Sequence, residues 1–493
     1  MVAAFRLIAL LCVIVLCLPT AAHARKRDRA LEERLLSHIE ILASDAFEGR
    51  EPGTEGEVKT LRYLGRLWFD IGLVSGTNDP GNEWFSPVTL VERAPATSSA
   101  RFSRGGRQTV LAEDEILMLT SGKRALVREA PLLFVGTAGN AVPDRTELAG
   151  RVAVLLDGDR DDGERQNALL AGGAAAVVTV LDGDRTLESV AARRQRFGYA
   201  LAQDATGGDL EGFMTAAALE RLLGAKGPTL KQLEAEAGEP GFAARLLGIT
   251  ASLEATTRET TIRTFNLIGR LPGRKPDAGA VLLVAHWDHF GICGEPPAED
   301  IICNGAIDNA SGVAALTEVA RRLARGSQLD RDVYFLATTA EELGLLGAQA
   351  FAENPPLPLG QIVAAFNIDS IAIARRGTPL GIVGKGMTGL DDQIAEVARR
   401  QKRRIVDGDA ANAYVRRQDG WALLQHDIPA VLVSSAYGDI KRIEAFFDGD
   451  YHRPSDDMKH GIELGGAAED VAFHIDLVRW FADTSRVPSP PGK

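Results

Sequence analysis

Residues able to do chemistry gather in five short motifs in the C-terminal half of the 493-residue chain. They are His286-Trp287-Asp288-His289, Asp308-Asn309-Ala310-Ser311-Gly312, Glu341-Glu342, Asn367-Ile368-Asp369 and Tyr451-His452. Imidazole nitrogen and carboxylate oxygen are the zinc-binding groups where thiolates are absent. Two zinc ions about 4 Å apart need a bridging carboxylate and further protein ligands for each ion. His286, Asp308 and Asp369 can hold one ion, and Asp308, Glu342 and His452 the other, with Asp308 shared. That leaves Glu341 free to act as a base. Each motif alone has an ordinary alternative. A strand-end histidine is commonly structural, and a Glu-Glu pair commonly lies on a solvated surface. The Asp308-Asn309 turn reads equally as a helix cap. Asp369 reads as a loop acid and His452 as an exposed imidazole. Order, spacing and placement together carry the metal reading.

The elements that must position these residues alternate. Val281–Ala285, Val333–Thr338, Ile362–Ile368 and Ile428–Val433 are apolar runs suited to buried strands. Val313–Leu323 and Gly347–Ala352 read as helices between them. Strand–helix alternation predicts an α/β sheet covered on both faces, with sites beyond the carboxyl ends of its strands. Upstream, Leu31, Leu35, His38, Ile39 and Leu42 recur at helical spacing. Glu48 to Gly53 breaks the pattern as a loop. Val58, Leu61, Tyr63, Leu64 and Trp68 resume it, and Gly72 is placed for a C-cap. Between lies a segment of different character, with strands at Leu132–Val135, Val152–Leu156 and Ala175–Leu181 and a helical stretch at Gln166–Leu170. No chemical constellation stands out within it.

The ordered motifs resemble the dizinc aminopeptidase family of metallopeptidases, of leucyl aminopeptidase and aminopeptidase Y type and related to glutamate carboxypeptidase. The family pattern runs His-x-Asp, Gly-Ala-x-Asp-Asn/Asp-Ala-Ser-Gly, Glu-Glu, Asp and His. This chain carries His286-Trp287-Asp288, Gly305 to Gly312, Ala340-Glu341-Glu342-Leu343-Gly344, Asn367-Ile368-Asp369 and Tyr451-His452 in that order. Leu42 to Gly53, Ile71-Gly72-Leu73 and Thr264 to Gly269 also resemble family segments. The resemblance implies an α/β fold with a mixed, mostly parallel sheet sandwiched by helices (zinc exopeptidase-like, phosphorylase/hydrolase-like). It implies two Zn2+ ions per chain on His286, Asp308, Glu342, Asp369 and His452. Glu341 is the implied general base. Asp288 is implied to support catalysis by accepting the second ring N–H of His286, whereas His289 matches no ligand. The implied reaction is hydrolysis of the N-terminal peptide bond of peptides, with the free α-amine held near the metals. The chain departs from the family at Arg417-Gln418-Asp419, where Arg-Ser-Asp is frequent, and at Ser370, where Met is frequent. Both lie near the expected substrate pocket and leave selectivity open.

The expected organisation is a signal peptide at 1–24, a first catalytic part at 25–110, an inserted β-rich protease-associated domain at 111–258, the metal-binding catalytic part at 259–485 and a loose tail at 486–493. Arg6, the apolar run Leu7–Leu18 and Ala22-His23-Ala24 form the signal pattern. They predict export to the periplasm or medium without stable membrane insertion. Cleavage there leaves two cysteines, Cys293 and Cys303, spaced for a local disulfide. A net charge of −12 argues against a general nucleic-acid binder. Oligomeric state is not legible. Three rival readings remain. A carboxypeptidase or dipeptidase of the same fold needs a basic group for a substrate carboxylate, and the sequence does not locate one. A glutaminyl cyclase needs a single zinc. A non-catalytic binding protein would have lost ligands.

Overall fold

The computed structural model describes residues 27–489 except 82, 158–161, 183–184, 195–197, 204–207 and 295. The expected signal peptide therefore lies outside the described residues. Among those described, no helix is long and apolar enough to cross a membrane.

The fold is a mixed α/β structure built on one large sheet. Its C-terminal half is organised by the Ala280–His286 strand, every residue of which is buried. That strand pairs in parallel with Asp332–Thr338 on one side and Ile362–Asn367 on the other. Ala430–Ser434 extends the parallel set. Gly381–Val383 and Arg245–Leu271 close it with antiparallel pairings. The continuous apolar runs follow from burial on both faces. Val281, Leu283 and Ala285 face one core with Val333, Phe335 and Phe366. The alternate residues Ala280, Leu282 and Val284 face the other, with Leu336, Ala365 and Phe351. Helices Arg29–Leu42, Glu55–Ile71, Ser311–Ala324 and Leu464–Phe481 cover the first face. Phe351 and Ala352 of Leu346–Glu353 and Leu423 of Asp419–Leu424 pack on the second.

The N-terminal pattern forms as its spacing predicts. Leu31, Leu35, His38, Ile39 and Leu42 are all buried. Gly72 caps the second helix at φ 94°, a left-handed conformation that favours glycine. Val58 departs from the expected face and is 43% exposed, because the buried stripe runs through Leu61, Leu64 and Trp68.

A second core lies between Ala100 and Ala255. There Arg124–Phe134, Val152–Leu156, Ala176–Leu181 and Leu210–Thr215 pair in parallel. The 27-residue strand Arg245–Leu271 runs through both halves, so residues 258 and 259 lie mid-strand. It pairs with Phe85–Arg104 from Thr250↔Ser103 to Leu267↔Phe85, with one register shift at Thr256/Thr257. At the other end, the tail expected to be loose from 486 is tied at its start. Val487 is 8% exposed, and its carbonyl accepts from Arg331 Nη2 at 2.7 Å. Residues 490–493 lie outside the described residues.

Cys293 and Cys303 form a disulfide, with Cα atoms 5.7 Å apart. It staples the small antiparallel pair Gly291–Ile292 and Ile302–Cys303, which packs on the Asp45–Arg50 turn. Closing a loop of this size restricts the unfolded chain by about 3 kcal/mol. The double substitution Cys293→Ser, Cys303→Ser is expected to lower the thermal midpoint, read by scanning calorimetry. An unchanged midpoint contradicts this.

Candidate metal centre

The seven residues singled out from sequence converge beyond the carboxyl ends of the parallel strands. His286 ends its own strand, and Glu341-Glu342 follows the strand ending at Thr338. Asp369 follows the strand ending at Asn367. Asp308 sits in the irregular turn before the Ser311–Ala324 helix. The glycines of this turn are required by close approach. A Cβ on Gly305 would strike the Asp308 carbonyl, and one on Gly312 would strike the Ile368 carbonyl. Ala340, Ser370 and His452, each beside or within the cluster, hold left-handed φ values of 52°, 52° and 58°. Such conformations are costly for residues with a Cβ and concentrate at functional sites.

Asp308 is the centre of the cluster. Its Oδ1 lies 3.2 Å from His286 Nε2 and its Oδ2 lies 3.4 Å from His452 Nε2. His286 Nε2 is also 3.7 Å from Asp369 Oδ1 and 4.0 Å from Glu341 Oε2. His452 Nε2 is 2.9 Å from Glu342 Oε2. The same Glu342 carboxylate meets His289 Nδ1 at 2.6 Å through its other oxygen. His289, which matched no ligand in sequence, therefore joins the group. Among the described residues, three sets of potential ligand atoms lie within 4.8 Å of one another: His286 with Asp308 and Asp369, His286 with Glu341 and Glu342, and His289 with Asp308 and Glu342.

The contact expected between the Asp288 carboxylate and His286 takes another form. His286 Nδ1 meets the Asp288 backbone carbonyl at 3.2 Å, while the nearest Asp288 carboxylate oxygen stands off at 3.8 Å. The carboxylate instead accepts the backbone N–H groups of Glu341 at 3.2 Å and Glu342 at 3.4 Å. Two successive donors in the Glu-Glu turn capture both of its oxygens. Asp288 thus ties the histidine strand to the glutamate turn.

Sequence reading missed three further supports. Arg50 is fully buried and donates to the carbonyls of Leu42 and Trp287 at 2.8 Å, of Asn304 at 2.5 Å and of Gly305 at 2.9 Å. Burial lowers its guanidinium to about 10, and Asp456, Asp288 and Asp308 oppose that fall. Asp456 accepts the N–H groups of Ile307 at 2.8 Å and Asp308 at 3.0 Å, fixing the turn that carries Asp308. Asp419, in the segment noted as a departure, accepts a hydrogen bond from Thr338 Oγ1. Supports of this kind typically carry about 10- to 100-fold in metal affinity. Asp456→Ala is expected to weaken zinc retention on that scale, measured by competition with a chromophoric chelator. Unchanged affinity would remove Asp456 from this role.

The donor chemistry fits zinc. His286, Asp308, Glu341 and Asp369 are all buried, and such crowding of acids is unfavourable without a cation. Burial pushes Asp288 up to about 7 and Asp419 up to about 6. Burial also holds Glu341 well above the ordinary range, with Glu342, Asp419 and Asp369 adding to it against the pull of His286. Asp308 behaves oppositely: burial raises it, but the His286 and His452 imidazoles outweigh burial and hold it low. His286 Nε2 and His452 Nε2 face carboxylate oxygens at 2.9–3.4 Å, and His289 Nε2 is buried without a hydrogen-bond partner. Imidazole nitrogens crowded against carboxylates are the donor set of a zinc site.

Residues 266–472 match the model of peptidase family M28. The chain is 36% identical over 123 residues to a vacuolar membrane protease of Candida dubliniensis, covering 24% of this chain and 12% of that one. It is 31% identical over 124 residues to aminopeptidase YwaD of Bacillus subtilis, covering 25% of this chain and 24% of that one. The shared segments are thus a minor part of either relative. The aminopeptidase from Aneurinibacillus sp. strain AM-1 superposes with a TM-score of 0.53 over 94% of this chain and 95% of its own, at 19% identity, so the two share a fold.

Proposed function

We propose, from the match of residues 266–472 to the model of peptidase family M28, that this protein is an exported two-zinc aminopeptidase that hydrolyses the N-terminal bond of peptides. The observation that carries the two-ion reading is the placement of Asp308, whose two carboxylate oxygens face different imidazoles. His286, Asp308 and Asp369 would hold one ion, and Asp308, Glu342 and His452 the other. Zinc in such a site supplies Lewis acidity that makes water a competent nucleophile near neutral pH.

The protein's own groups do the rest. Glu341 takes the proton of the attacking water and delivers it to the leaving amine. Asp288 keeps that carboxylate in place through the two backbone N–H groups it accepts. His289 orients Glu342 by occupying one of its oxygens, leaving the other toward His452.

The separate core between Ala100 and Ala255 supports treating 111–258 as an inserted protease-associated domain. The Cys293–Cys303 bridge supports an oxidising compartment, the periplasm or medium. The test is a panel of aminoacyl-nitroanilides beside N-blocked and C-terminal dipeptide substrates. Free-amine substrates are expected to be cleaved, a chelator to stop the reaction and added zinc to restore it. Activity indifferent to chelation contradicts the metal reading, and cleavage confined to N-blocked substrates contradicts the aminopeptidase reading.

A further inference from the structure

Beside Glu341 is a small pocket whose floor is Asp308, Glu341 and Asp369. Its wall carries one cation, Arg417. The guanidinium carbon lies 4.6 Å from the Phe447 ring centroid, 5.2 Å from Tyr451 and 6.0 Å from Tyr414. These rings also pack on one another, Tyr414 and Phe447 at 5.2 Å and Phe447 and Tyr451 at 4.8 Å. Arg417 is therefore held on a rigid aromatic surface at the end of the 3-10 segment Ala410–Arg417.

Aromatic stacking uses the faces of a guanidinium. Its five N–H donors point along the edges and stay available for a planar acceptor. Several other arginines meet acids, as Arg34 does Glu318, Arg376 does Glu32 and Glu469, and Arg403 does Asp470, whereas the buried Arg50 and Arg331 spend their donors on backbone carbonyls. For Arg417, among the described residues, the side-chain acceptor is the Tyr451 hydroxyl and no carboxylate pairs with it. The residue is exposed, so an incoming group can reach it. An oriented arginine at the wall of a hydrolytic pocket, without an acid of its own, matches the geometry of a carboxylate.

We propose that Arg417 makes this pocket a subsite for a substrate carboxylate close to the scissile bond. The carboxylate would come from an acidic side chain at the cleaved terminus or from the free C-terminus of a dipeptide. This rests on the peptidase reading above and names the substrate class it leaves open. It also supplies the basic group that sequence alone did not locate.

Two matched substrate pairs separate the sources, measured as kcat/KM on the zinc-loaded full chain. The first is Glu-nitroanilide against Gln-nitroanilide, which differ only in side-chain charge. The second is a Leu-Ala dipeptide against its C-terminal amide. A charge-assisted contact favours the acid by about 10- to 100-fold over its neutral isostere. That preference is expected in one pair, which identifies the source. In Arg417→Gln the ratio within that pair is expected to collapse toward one. In Arg417→Lys, which keeps the charge but loses the fork, an intermediate ratio is expected. Calorimetric binding of glutamate against glutamine, or of the dipeptide against its amide, to the Glu341→Gln protein gives the same comparison without turnover. Equal rates in both pairs for the wild type overturn the subsite and leave the peptidase reading standing. A preference that survives in Arg417→Gln also overturns it, because another group then reads the charge. A panel cleaved nowhere, with zinc present, overturns both.

Discussion

Glu341→Gln is expected to lower kcat by about 100- to 10,000-fold, the usual worth of a positioned proton-transfer group, while zinc content stays at the wild-type level. The two halves of this result separate two roles that the geometry allows. Glu341 lies 4.0 Å from His286 Nε2 and belongs to one of the three clusters with ligand-like spacing. A ligand replaced by an amide loses metal, whereas a base replaced by an amide loses only the ability to take a proton. The substitution preserves shape, and the backbone N–H of Glu341 remains bound to Asp288. Elemental analysis and steady-state kinetics on the same preparation read both quantities. Zinc falling in step with activity would make Glu341 a ligand, and full activity would remove it from the chemistry.

The second large effect is expected at Asp308. Asp308→Ala should deplete both ions and abolish turnover, whereas Asp369→Ala should chiefly deplete one. The difference follows from position. Asp369 lies near His286 alone of the two end imidazoles, while Asp308 presents an oxygen to each. Removing it leaves His286 and His452 without their common acceptor. Zinc per chain after dialysis against a weak chelator is the measurement. Retention of both ions by Asp308→Ala would disprove the bridge.

Much of the positioning scaffold was legible because it is dictated locally. An unbroken apolar run such as Val281–Ala285 has few stable destinations other than the middle of a covered sheet. A polar residue that ends such a run, as His286 does, emerges at the carboxyl end of its strand. The family resemblance separated His286 from His289, but contact reversed part of that distinction. His289 lies three residues beyond the strand end, yet its ring reaches Glu342, 53 residues away. Arg50 was illegible for the same reason. It reads as a loop residue beside Gly49, and its partners at Trp287 and Gly305 are 237 and 255 residues distant. The Asp288 contact was misassigned because spacing specifies which residues are near but not which atom of Asp288 meets the ring.

The two crossings between the second core and the metal-bearing half have a mechanical consequence. A lobe that swings needs a joint, usually a few unpaired residues whose φ and ψ are free to change. Here both crossings are partners in one antiparallel ribbon, paired almost without interruption from Thr250 to Leu267. Rotation of one lobe against the other must break cross-strand bonds or flex at the single irregularity between Thr256 and Thr257. The ribbon therefore couples the two cores, and a swing of one against the other is opposed by the ladder that joins them.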